Sequence, residues 1–195
     1  MGKIIPRWEW RTFGQEFGAA EAAFAALEPD GVQESDEIYL LSAAPDANVK
    51  IRDGLMDVKM LEQVNAAGLE QWRPVMKGEF PLTADEAKQV CAALGVPPPS
   101  TVRTAYSWEE LRAELSAPLR GIRVVSVHKR RARYSIHGCS SEITDVVADG
   151  KKTRTIALEA EEAGRVIDAV RAVGLAALPN TSYPRGLARL IGMGS

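Results

Sequence analysis

The sequence predicts an α+β fold in which eight antiparallel strands close a β-barrel and helices pack on its outside. Two hairpins are marked by Asp53-Gly54 and Asp149-Gly150, each joining segments of alternating character. The alternation is of an unusual kind, since one face of these strands is apolar and the other is basic. The charges are also segregated. Residues 120–141 carry six Lys/Arg and no acid, whereas residues 12–46 carry eight acids and no base. Clustered like charge destabilises a sheet unless something anionic neutralises it. The apolar faces suit amphipathic helices, so the charged faces turn inward, and eight such strands can close around them.

Taken in order, residues 3–12 alternate, with Trp8 and Trp10 on one face and Arg7, Glu9 and Arg11 on the other. Residues 15–28 have helical spacing of Phe17, Ala20, Phe24 and Leu27, stopped by Pro29-Asp30-Gly31. Residues 37–43 form a strand. In the first hairpin, 48–52 and 55–61, Arg52 pairs with Leu55, Lys50 with Asp57 and Val49 with Val58. Lys50, Arg52, Asp57 and Lys59 then share a face. Residues 69–77 read as a strand with Arg73 and Lys77 on one side and Trp72 and Met76 on the other; Pro74 makes it an edge or a bulge.

Thr83 and Glu86 form a capping box for a helix over 83–94 that Gly95 ends, and Ser107 and Glu110 form another for 107–115. Residues 121–137 are one long strand or two, with Lys129, Arg131 and Arg133 on one face. The second hairpin, 140–148 and 151–159, pairs Glu142 with Ala157 and Ser140 with Glu159. A helix over 161–173 and a short one over 184–191 follow. Trp8, Trp10, Val49, Ile51, Val58, Trp72, Ile143, Ile156 and Leu158 are expected to pack against the helices. The stiff stretch 96–100 is the one candidate boundary, and strands on both sides of it have the same two-faced character, so a single domain over 3–192 is expected.

The 195 residues hold 24 Lys+Arg against 26 Asp+Glu, a net charge of -2, which excludes a broad basic surface for double-stranded nucleic acid. Two cysteines are too few for a disulfide framework, and Cys91 reads as a small buried residue. Residues 1–11 lack the apolar centre of a signal peptide and no run approaches a membrane span, so a cytoplasmic protein without a membrane partner is expected. His128 and His137, nine residues apart and of opposite strand parity, make a poor metal pair. Tyr183, after Asn180, reads as an anchor of the C-terminal segment.

A barrel interior lined with Lys and Arg would hold a compact polyanion, above all phosphates. Glu9, Glu142, Glu159 and Glu161 fall on or extend the same faces. Carboxylates beside a phosphate-binding surface suit Mg2+ or Mn2+, which bind through one or two carboxylates plus substrate oxygens. Equally, Glu159 and Glu161 could cap the following helix and pair with lysines.

The ordered set Arg7-Trp-Glu9-Trp-Arg11, Val49-Lys50-Ile51-Arg52, Asp57-Val58-Lys59, Lys129-Arg-Arg131-Ala-Arg133-Tyr134, Glu142-Ile-Thr-Asp145, Glu159-Ala-Glu161 and Asn180-Thr-Ser-Tyr183 resembles the CYTH superfamily, the triphosphate tunnel metalloenzymes. The resemblance spans nearly the whole chain. It implies an eight-stranded antiparallel tunnel whose bases hold a triphosphate and whose glutamates hold divalent metal. Members hydrolyse inorganic triphosphate, thiamine triphosphate or nucleoside triphosphates, and some cyclise ATP. By position, Arg11, Lys50, Arg52, Lys59, Lys129, Arg131 and Arg133 would bind phosphates, joined by Arg73 and Lys77; Glu9, Glu159 and Glu161 would hold Mg2+ or Mn2+.

The first strand departs from the family's Glu-x-Glu-x-Lys, reading Arg7-x-Glu9-x-Arg11. Reversing a charge on the metal side weakens metal binding, while Arg for Lys keeps phosphate affinity and changes its geometry. Two functions follow: a metal-dependent hydrolase of a linear triphosphate or a triphosphate-bearing organic compound, or a non-catalytic module that binds polyphosphate or a phosphorylated ligand. A third is an α+β domain whose protein partner covers a basic strand face. The expected partner is a small polyanion. The oligomeric state is left open, a homodimer included.

Overall fold

A computed structural model describes residues 5–43, 46–117 and 120–193. Lys3 and Ile4, with which the expected domain begins, lie outside the described residues. The chain runs through β1 (Arg7–Gly14), α1 (Ala19–Ala25), β2 (Gly31–Leu41), β3 (Ala47–Arg52), β4 (Leu55–Val64) and β5 (Glu70–Glu79). Next come β6 (Leu82–Thr83), α2 (Ala84–Ala93), β7 (Ala105–Tyr106) and α3 (Trp108–Leu115). Last are β8 (Arg123–Ile136), β9 (Cys139–Ala148), β10 (Lys151–Ala160), α4 (Ala163–Ala172) and α5 (Tyr183–Ile191). Eight strands close an antiparallel barrel in the order β1-β10-β9-β8-β2-β3-β4-β5, while β6 and β7 pair separately. Strands from both sides of the proline stretch complete it, as the two-faced patterning requires.

Both Asp-Gly hairpins have the expected register: Arg52 faces Leu55, Lys50 faces Asp57, and Glu142 faces Ala157. Asp53 and Asp149 take positive φ, as two-residue loops of this kind demand. Thr83 and Ser107 complete their capping boxes with Glu86 and Glu110. The turn from β8 to β9 is made instead by His137 and Gly138, also at positive φ, so the long basic strand ends there.

Strand β5 is bulged rather than an edge, for it pairs with both β4 and β1. Its register against β4 shifts between Val58, which faces Met76, and Lys59, which faces Pro74. Val75 is the extra residue, next to a proline that has no N–H for the ladder. A single inserted residue exchanges the faces beyond it. Lys77 therefore shares the inner face with Asp57, while Arg73 lies opposite Met60 on the outer side. Trp72, expected outside, pairs with Arg7 on the inner side, and its Nε1 donates to Glu70.

The outer faces are covered as their apolar residues require. Trp10, Ile156 and Leu158 pack with Phe24 and Val166 under α1 and α4. Val49, Ile51 and Val58 pack with Val90 and Leu111 under α2 and α3. A third cluster lies inside one end of the barrel. There Tyr39, Leu41, Val125, Val127, Val146 and Ala148 close on Tyr183 and Leu187 of α5. Helix α5 touches β1, β2, β3, β9 and β10, so it is a plug set into the barrel rather than a helix laid upon it. Among the described residues no helix is long and apolar enough to cross a membrane.

Candidate functional site: a basic tunnel with internal counter-charges

Above the plug the interior is polar. A cavity of about 190 Å3 is lined by Arg11, Lys50, Arg52, Lys59, Lys129 and Arg131, and also by Glu9, Asp57, Glu142 and Glu159. Asn48, Tyr39, Ser140, Ala157 and Tyr183 complete the wall. The period of two along each strand brings these side chains to one space, since inner residues alternate with outer ones held by the helices.

Local register decides which charges meet. Arg11 pairs with Ala157 on β10, and Ala157 pairs with Glu142 on β9. The short alanine side chain leaves room for Arg11 to reach across it. Its Nη1 lies 3.1 Å from Glu142 Oε1, while its Nε lies 2.9 Å from Glu9 Oε1. Arg131 Nε approaches the other oxygen of Glu142 at 3.1 Å. Burial alone would raise the Glu142 carboxyl, but Arg11, Arg131 and Lys129 outweigh it and hold its pKa below the ordinary value. At the mouth, Arg7 Nη1 lies 3.1 Å from Glu159 Oε1.

The centre of the network is Glu37 of β2, only 2% exposed. Its Oε2 accepts from Lys129 Nζ at 2.8 Å, Lys50 Nζ at 3.1 Å and the Tyr39 hydroxyl at 3.1 Å. Its Oε1 accepts from Ser35 at 3.3 Å and lies 3.6 Å from Arg131 Nη2. Burial works to raise this carboxyl, yet Lys129 and Lys50 pull it down to about 2. Burial and the neighbouring Lys50 lower the Lys129 ammonium, with Glu37 opposing them. Three of the bases thus share one internal anion. Among the described residues Arg52, by contrast, has only a loose ion pair, at 3.8 Å with the exposed Asp53, and Lys59 lines the cavity with it.

Of the residues singled out in the sequence, Glu9, Arg11, Lys50, Arg52, Lys59, Lys129, Arg131, Glu142 and Glu159 converge on the cavity. Arg73 does not, because the bulge turns it outward to Glu62 at 3.5 Å. Lys77 is exposed on the inner face beyond the lining residues, and Arg133, also exposed, donates to Gln33 at 2.8 Å. Glu161 follows the end of β10, where it lines a separate surface recess with Arg7, Glu162 and Arg165. Sequence reasoning missed Glu37 and Tyr39. Their shared parity in one strand was the available signal. Tyr183, read as an anchor, is one, and it also lines the cavity.

Three of the carboxylates expected to hold Mg2+ or Mn2+ are paired with arginines in this arrangement. Glu9 and Glu142 share Arg11, and Glu159 holds Arg7. Among the described residues, no three His, Cys, Asp or Glu side chains form a group that could hold a metal ion.

No protein-family model matches the chain, and no curated protein matches it. Solved structures do. A conserved hypothetical protein from Pyrococcus furiosus is similar at 15% identity over 93% of this chain and 99% of that one, with a TM-score of 0.51. A protein from Pyrococcus horikoshii is similar at 15% identity over 93% and 98%, with a TM-score of 0.50. The chain has the tunnel fold. It is the fold that the resemblance to the CYTH superfamily implied, and at this identity the likeness speaks for the fold alone. A putative adenylyl cyclase from Hippeastrum, described as having a dominant triphosphatase activity, is similar at 15% identity over 87% and 88% with a lower TM-score of 0.47.

Proposed function

We propose that the tunnel binds a linear triphosphate, free or carried on an organic compound, and that arginines rather than a divalent metal balance its carboxylates. The convergence of six bases on one closed-ended cavity carries this reading. Arg52 and Lys59 offer charge with little internal competition. Lys50, Lys129 and Arg131 are pre-oriented around Glu37, so phosphoryl oxygens can take up their remaining donors without reorganising the wall. Arginine forks suit phosphoryl oxygens, and Arg11 and Arg131 are both held in place by Glu142. This favours the binding module over the metal-dependent hydrolase, because the groups that would hold the metal are committed to Arg7 and Arg11.

The test is a thermal-shift titration with inorganic tripolyphosphate at low salt, with and without EDTA, alongside a phosphate-release assay with Mg2+ or Mn2+. At a ligand concentration 100 times Kd, binding stabilises by about 2.7 kcal/mol. For a chain of this size that is a rise of about 5–10 °C. The rise is expected to survive EDTA. No rise at low salt overturns the reading. A rise that requires divalent metal, or metal-dependent phosphate release, replaces it with the hydrolase.

A further inference from the structure

We propose that Tyr183 is a ligand-contacting, specificity-determining residue whose hydroxyl donates to the terminal phosphoryl group of the anion at the closed end of the tunnel. The inference rests on the tunnel-binding reading and deepens it.

Tyr183 is 5% exposed and its ring is held on several sides. It stacks on Tyr39 with centroids 5.2 Å apart and planes at 13°, and it meets Phe13 edge-on at 5.3 Å. The Arg11 guanidinium lies 4.7 Å from its ring centre and Lys129 Nζ 4.0 Å from it. The ring therefore needs no hydroxyl for its placement. Yet Tyr183 lines the cavity, and among the described residues its buried oxygen has no hydrogen-bond partner. Tyr39 shows the contrast: its hydroxyl donates to Glu37 and accepts from Lys129 at 2.6 Å. Of two stacked phenols, one is fully used by the protein and the other keeps a buried, unpartnered donor at the wall of the cavity. A buried polar group without a partner is costly, so its retention calls for a partner from outside the chain.

The chemistry of that partner follows from its surroundings. Burial, helped by Glu142 and Glu37, raises the pKa of the Tyr183 hydroxyl against the pull of Arg11 and Arg131, so it stays protonated and can act only as a donor to an anion. The Lys129 ammonium beside it favours the same charge. Beyond Tyr183 the barrel end is filled by buried Leu41, Val125, Val127, Val146 and Leu187, so on this proposal a chain of phosphates ends there. A terminal phosphoryl group presents three acceptor oxygens, whereas a phosphate esterified on both sides presents fewer and carries a group the plug cannot admit.

The experiment is isothermal titration of the full chain and of Tyr183→Phe with inorganic tripolyphosphate, and with a dinucleoside triphosphate blocked at both ends. The wild type is expected to bind tripolyphosphate and to reject the blocked compound. Tyr183→Phe keeps the stacking on Tyr39 and is expected to melt no lower than wild type without ligand. It should bind tripolyphosphate roughly ten-fold or more weakly, the worth of one hydrogen bond to a charged group. The near-ultraviolet tyrosine difference signal produced by tripolyphosphate should shrink in the variant, which gives a second readout. Equal affinity of the two proteins overturns this inference alone. Tight binding of the blocked compound by the wild type overturns the chain-end reading. No binding of tripolyphosphate by the wild type removes the tunnel reading, and this inference with it.

Discussion

At the scale of single residues, a carboxylate behind three cations would set how strongly the proposed tunnel site attracts an anion. Glu37 satisfies Lys129 and Lys50 and draws in Arg131, so a phosphate bound as proposed would share their charge with it. Glu37→Gln should therefore raise tripolyphosphate affinity roughly ten-fold while lowering the melting temperature of the unliganded protein. Breaking a buried pair by removing one partner costs about 3–5 kcal/mol. The two effects have opposite signs, and saturating tripolyphosphate should recover most of the lost stability; calorimetry with and without the anion measures both. The pH dependence follows from the same group. Its folded pKa of about 2 lies below the ordinary 4.5, so the unfolded chain takes up the proton first. The stability it contributes, about 3 kcal/mol, is full above pH 4.5 and is lost as pH falls toward 2. Urea midpoints between pH 5 and 2 should fall less steeply in Glu37→Gln. The role of Glu37 was only faintly legible: its parity matches Tyr39, but the neighbouring acids Glu34 and Asp36 on the opposite face make the segment read as solvated. Only the pairing of Glu37 with Arg52 on one side and Val127 on the other turns it inward.

At the scale of elements, the plug helix α5 depends on a close approach that one glycine permits. A Cβ at Gly186 would lie 2.2 Å from Phe13, on a ring wedged against Tyr183. Gly186→Ala should cost about 1–3 kcal/mol through overpacking, seen as a melting point several degrees lower. Gly164 in α4 is the control: nothing lies within 4 Å of its added Cβ, and Gly164→Ala should stabilise by about 0.5–1 kcal/mol. The segment leading into α5 also finishes the barrel wall. Asn180 Oδ1 accepts from the Arg11 backbone at 2.8 Å and its Nδ2 donates to Gly68 at 2.8 Å, while Thr181 N–H donates to the Arg11 carbonyl at 2.6 Å. These bonds continue the ladder where β5 has left β1 after Glu9. The hairpins, capping boxes and basic strand were legible because each is written in residues a few positions apart. The β5 bulge was half legible: Pro74 announced it, but which side chains it would exchange depended on the partner strand.

At the scale of the whole molecule, the net charge of -2 conceals a basic interior within a neutral total. Six lining bases face four lining acids, and Glu37 adds a fifth acid behind them. The tunnel is therefore only modestly positive, and its pull on a polyanion should be sensitive to ionic strength. The thermal shift produced by a fixed tripolyphosphate concentration is expected to fall several-fold between about 50 and 500 mM NaCl; a salt-independent shift would point to binding away from the charged tunnel. The sequence by itself determined that strands with basic faces must close around something and that helices must cover their backs. Alternation of period two and amphipathic helices leave few other places for those charges. Only the tertiary structure decided that Glu9, Glu142 and Glu159, expected from the sequence to hold a metal, pair with arginines. Arg7 meets Glu159 and Arg11 meets Glu142 across strands that are distant in the chain and adjacent, or one strand apart, in the barrel. Pairings of that kind are set by the register of closure, which no local pattern records, because each base must choose among all the acids that barrel closure brings within reach.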